Sequence, residues 1–232
     1  MKFFDSLIGD ISDIVSPLSP KSLQKDTAWS DAGGNQVIMR RDAAFELEGV
    51  GFNLVTSEEV TDEIIVAGDD LGEIRGNRPF ARISIVQIDD IGDEQKAYNL
   101  IKKTEYVKYH CFPDGYMIRS TSRTHKEAVR VSKKAVKNGI DFCAVGSLLI
   151  DKYKENPSVK GVKIIFITNP AADYEAIEKI ARKNSEIAET LNHVMNSVNF
   201  DCDTCNLKAI CDEVEGMKEL HFRTSGMGEY NG

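Results

Sequence analysis

Three cysteines near the C-terminus stand close enough together to hold a metal. Asp201-Cys202-Asp203-Thr204-Cys205-Asn206-Leu207-Lys208-Ala209-Ile210-Cys211 has the spacing C-x2-C-x5-C. C-x2-C lets two thiolates converge on one metal from a single turn, and a third follows after a short loop. Three thiolates need a fourth ligand to close a tetrahedral zinc site or complete an iron–sulfur cubane. His221 lies ten residues beyond Cys211 and is a candidate. Cys111, Cys143, a solvent or substrate molecule, or a second subunit are others. An odd cysteine count without a secretion signal argues against a disulfide framework and for metal or redox chemistry. A Cys202–Cys205 redox dithiol is the competing reading.

The charge is as uneven as the cysteines. The chain of 232 residues has a formal net charge of -8, yet residues 96–137 carry 11 basic and 3 acidic side chains. An acidic protein with one basic segment lacks the broad positive field that nucleic acids require. It suits a localised anion site or an acidic protein partner. Stepping 100° per residue from Arg123 gathers Arg123, Lys126, Arg130, Lys133, Lys134 and Lys137 on one stripe. Ala128, Val129, Val131, Ala135 and Val136 fall opposite. This predicts a basic amphipathic helix over 123–137. No P-loop, G-x-G-x-x-G, H-E-x-x-H or G-x-S-x-G is present.

The elements that must position these groups follow from periodicity. An amphipathic helix is expected over 3–15, stopped by Pro17 and Pro20. A polar linker should run over 21–42 and end in a short strand at 37–40. Strands are expected at 45–55, 63–67 and 80–88, and a helix at 93–103. Strands at 106–111 and 116–121 should flank a hairpin turn at Pro113-Asp114-Gly115. The basic helix comes next, stopped by Asn138-Gly139. A helix near 145–154, a buried strand at 162–168 and a long helix from Asn169-Pro170 to about Met195 complete the order. From residue 80 the order is that of an α+β, ferredoxin-like split βαβ: an antiparallel sheet with helices on one face. The chain divides into an N-terminal helix and linker (1–35), an α+β domain (36–198) and a C-terminal helical cysteine segment (199–232). No run of 18 apolar residues could span a membrane. Asp5 and Asp10 interrupt any secretory core, so a soluble cytoplasmic protein is expected.

The stretches Ala44-Phe45-Glu46-Leu47, 60–72, 80–88, Tyr109-His110 and 159–168 resemble, in order, the middle domain of acetyl-CoA synthase. That is the β subunit of the carbon monoxide dehydrogenase/acetyl-CoA synthase complex of anaerobes. The resemblance covers about residues 36–205. It implies a 4Fe-4S cluster on the run that Cys202 and Cys205 open, with Cys211 as a third ligand at a shorter spacing. The family's C-x-C pair for the distal nickel has no counterpart here, so the implied site is a cubane without its nickels. Coenzyme A binding is implied near Tyr109, at the place of a family tryptophan, and at the cations Arg119 and Arg123, with Lys126 and Arg130 beside them. The implied role is an accessory, electron-transfer or acyl-transfer component of one-carbon metabolism. If the chain is an enzyme, it is part of a CO-methylating acyltransferase. Implied partners are carbon monoxide dehydrogenase or corrinoid components, or a second copy of the chain. The alternative is a zinc-stapled interaction module on Cys202, Cys205, Cys211 and His221 that docks through the basic helix.

Overall fold

The computed structural model describes residues 2–34, 36–89, 94–121, 125–195 and 208–214, together with Met217 and Leu220. In chain order the elements are α1 (Asp5–Val15), β1 (Lys21–Gln24), β2 (Ala43–Thr56), β3 (Glu63–Ala67), β4 (Arg78–Ile88) and α2 (Glu94–His110). These are followed by β5 (Tyr116–Ser120), β6 (Lys126–Ser132), α3 (Lys133–Lys137), α4 (Phe142–Lys154), β7 (Val159–Ile167), α5 (Tyr174–Met195) and α6 (Lys208–Glu213). The seven strands form one sheet in the order β1-β3-β7-β4-β2-β6-β5. β2 runs parallel to β4 and β3 parallel to β7; the other neighbours are antiparallel.

The class is α+β, as the element order predicts. Of the four strands of the expected split βαβ, those at 80–88, 116–121 and 162–168 form as β4, β5 and β7, whereas 106–110 is helical; β7 lies beside β4, and β5 pairs instead with β6. β2 is inserted between the two pairs, so they do not form a four-stranded sheet of their own. Helices also cover both faces rather than one. Register sets Phe80, Arg82 and Ser84 on the same face as Phe166 and Ile164. α4 packs there, with Phe142 stacked on Phe166 at a centroid distance of 4.3 Å. Gly146 permits that approach, because a Cβ would lie 2.6 Å from Ile64 Cγ1. α1 and α5 take the opposite face. α1 buries Leu7, Ile11 and Val15, and α5 buries Ile177, Ala181, Ile187, Leu191 and Val194. Each Leu, Ile or Val among these contributes roughly 1.5–3 kcal/mol on removal from water. Covering both faces explains why β4 is buried from Phe80 to Val86.

Three expected elements are different. Residues 106–110 continue α2, because Ile101, Thr104 and Lys108 are buried at helical spacing. Pro113-Asp114-Gly115 is a tight turn, with Tyr116 N donating to Pro113 O at 2.9 Å and Gly115 at φ +75°. It joins α2 to β5 and is not a hairpin. The strand expected at 37–40 is absent among the described residues, and β1 lies at Lys21–Gln24 instead. The segment containing Gln36 and Ile38 braces the β5 edge, where Gln36 Nε2 donates to Pro113 O and Ile38 N lies against Met117 Sδ.

The basic helix is the largest correction. Residues 126–132 form β6, and only Lys133–Lys137 are helical, N-capped by Ser132 Oγ, which accepts from Ala135 N at 3.0 Å. Val129 and Val131 face the core with Glu127 between them and the strand end. A carboxylate at a core position hides a period-two pattern, and its neighbours then fit a helical stripe equally well.

Candidate functional site

The residue that disguised β6 is half of a fully buried ion pair. Arg82 Nε donates to Glu127 Oε1 at 2.8 Å, and Nη2 to Oε2 at 2.8 Å. Both side chains are 0% exposed. Nη1 donates to Ser84 Oγ at 2.8 Å, and Ser120 Oγ donates to Glu127 Oε2 at 3.0 Å. The pair reaches across β2 at Gly51, where a Cβ would sit 2.0 Å from Glu127 Oε2. Burial opposes the Arg82 charge, but the facing carboxylate outweighs it and raises the guanidinium pKa above its usual value. Burial also raises the Tyr116 phenol and pushes the Cys111 thiol up to about 12, so neither ionises near neutral pH. Removing one partner of such a pair strands a charge, so this cluster organises the centre of the sheet.

Beside it lies a groove of about 760 Å³ whose lining includes Glu48, Arg119, Lys126, Glu178 and Arg182. Two of the predicted ligand cations, Arg119 and Lys126, therefore share one cavity. Strand alternation does this, placing Arg119 on β5 and Lys126 on β6 on the side opposite Glu127. Arg182 joins them from α5, an addition no local sequence pattern signals. Arg130 is committed elsewhere, its Nε donating to Glu46 Oε1 at 2.8 Å. Lys133 donates to the Arg41 carbonyl. Arg123 lies outside the described residues.

Tyr109 opens on a different cavity, about 470 Å³, between α2 and α5. Its walls include Tyr98, Lys102, Tyr106, Tyr109, His125 and Ser185. His125 adopts φ +49°, a left-handed backbone uncommon for a residue with a Cβ. It is 6% exposed. Its Nε2 is hydrogen-bonded to Ser185 Oγ, and its Nδ1 has no partner among the described residues. Burial, then the nearby Lys108 ammonium, lower its pKa, so the ring is neutral at pH 7. The sequence gives His125 no partner pattern, because Ser185 is sixty positions away.

Of the predicted metal ligands, Cys202, Cys205 and His221 lie outside the described residues. Cys211 is half-buried on α6, which packs on α5. Val214, Met217 and Leu220 beyond it are buried in the common core, and Lys183 reaches Glu213 at 2.9 Å. Among the described residues no three ligating side chains converge. Cys111 is buried inside the domain and Cys143 is half-buried on α4, and neither lies in the cysteine segment. No helix among the described residues is long and apolar enough to cross a membrane.

No protein-family profile matches the chain, and no curated protein is significantly similar to it.

Proposed function

We propose that the chain is a cysteine-ligated iron–sulfur protein with a role like that of the acetyl-CoA synthase middle domain. Cys202, Cys205 and Cys211 are the protein ligands. The observation that carries this reading is the seating of Cys211. Its helix is not a loose tail, since Met217 and Leu220 just beyond it are buried at 0% and 1% exposure. A thiolate held on an anchored helix, with C-x2-C close before it in sequence, suits a soft-metal site. When bound, the cluster would supply electron transfer or an open iron. The chain's own contribution is to fix the Cys211 end against α5.

The groove at Arg119, Lys126 and Arg182 supports a phosphate-bearing ligand such as coenzyme A in the same reading, since guanidinium and ammonium groups are the usual phosphate partners. Anaerobic purification with metal and sulfide analysis tests the cluster. A brown protein with iron and acid-labile sulfide, lost in Cys202→Ser and Cys211→Ser, is expected. A colourless protein with stoichiometric zinc overturns the cluster and leaves the zinc-stapled module. Calorimetric titration with coenzyme A tests the groove. Binding weakened about tenfold in Arg182→Ala, equal to about 1.4 kcal/mol, is expected.

A further inference from the structure

The cavity between α2 and α5 has the construction of a ligand site in its own right. Its rim is one face of α2, where Tyr98, Lys102, Tyr106 and Tyr109 recur at helical spacing. Tyr106 is 61% exposed and Tyr109 36%, although both are large aromatics. Clustered exposed aromatics are a common mark of a binding surface. Phe4, Ile101 and Ala188 supply apolar lining, beside the buried amides of Asn184 and of Asn53, the latter held by the Thr104 carbonyl and the Tyr153 hydroxyl. The inner wall holds the hydrogen-bonded His125–Ser185 couple.

The charges select the occupant. Glu105 is taken by Lys108, at 2.8 Å. His125 is neutral. The ammonium of Lys102 remains, held 4.8 Å from the Tyr98 ring centroid, where no carboxylate of the described residues pairs with it. Three phenol rings, the apolar side chains of Phe4, Ile101 and Ala188 and one cation at the mouth match a flat, largely apolar body with a single negative group. We infer that this cavity binds a small planar aromatic acid. Its ring would lie against Tyr106 and Tyr109 and its anionic group against Lys102. The site depends on neither the cysteines nor the Arg119 groove.

The probe is anilinonaphthalene sulfonate, a planar ring system with one sulfonate, titrated into the full chain and followed by fluorescence. One saturable site is expected, with affinity reduced about tenfold in both Lys102→Ala and Tyr106→Ala. Lys102 and Tyr106 are exposed, so these variants should keep the parent denaturation midpoint, which is measured alongside. The His125 ring nitrogens should shift in NMR spectra on saturation. Coenzyme A should leave the probe in place. Failure to saturate, affinity unchanged in both variants, or displacement by coenzyme A would each overturn the assignment. The first two outcomes leave the cluster and groove readings untouched.

Discussion

At the scale of single residues, Gly51 and His125 carry the most consequence. Gly51 is the gap through which Arg82 meets Glu127, and its Cβ would lie 2.9 Å from Arg82 Nη2 as well. Gly51→Ala should therefore cost stability on the scale of a broken buried pair, about 3–5 kcal/mol. Glu127→Gln should cost a similar amount by leaving Arg82 charged and unmatched, whereas Arg130→Ala, at a part-exposed pair, should cost under about 1 kcal/mol. Urea denaturation measures all three, and equal costs at Glu127 and Arg130 would refute the distinction. His125 makes a prediction about pH. Its folded pKa lies below the ordinary value of 6.5. As pH falls through that value the unfolded chain takes up a proton that the folded chain refuses. Stability contributed by this residue is thus full above pH 6.5 and declines below it, until the folded imidazole also protonates. The denaturation midpoint should fall between neutral and mildly acidic pH, and His125→Gln should flatten that part of the curve.

At the scale of elements, legibility depended on whether one physical pattern had a competitor. β4 and β7 are β-branched, buried on both faces and cleanly bounded, and the sequence reading finds them to within a few residues. α5 shows its 3.6-residue stripe over six turns. β6 fits a helical pattern because Glu127 occupies a core position that only Arg82, 45 residues away, makes tenable. The end of α2 resembles a strand because Tyr106 and Tyr109 are exposed instead of buried, which reverses the usual meaning of an aromatic-rich run. The same exposed rings line the cavity between α2 and α5, which no spacing in the sequence marks. Of the proposed ligand groups, the cysteine trio rests on spacing alone. The pairing of Arg119 with Lys126 required the strand, and Arg182 and Ser185 required the packing of α5. The α6 segment allows a direct check. Met217→Ala should lower global stability by about 2–5 kcal/mol, and with it the denaturation midpoint, since Met217 is part of the common core. Faster hydrogen exchange confined to 208–214 with an unchanged midpoint would show that the segment is only locally anchored.

At the scale of the whole molecule, the sheet has no sequence-local half. β1 is tied to β3, but β3 finds its parallel partner only in β7, about a hundred residues on. β2 lies between β4 and β6, one partner close in sequence and the other far. The expected division into a helix and linker, a domain and a cysteine segment is crossed by one hydrophobic core. It takes in Leu7, Phe52 and Met217 alike. That sharing predicts one unfolding transition, with fluorescence of Trp29 and far-ultraviolet circular dichroism superimposing. Separate midpoints would refute it.

The interposed strand also has a meaning in time. As the chain leaves the ribosome, β2 and β4 can pair early, but the flank of β2 meant for β6 stays bare until residue 132 has emerged. The flank of β4 meant for β7 waits for residue 167. Both are long, apolar and adhesive while they wait. A nascent chain halted between these points is the form of this protein with most need of a chaperone. The completed sheet has only the short β1 and the braced β5 at its margins.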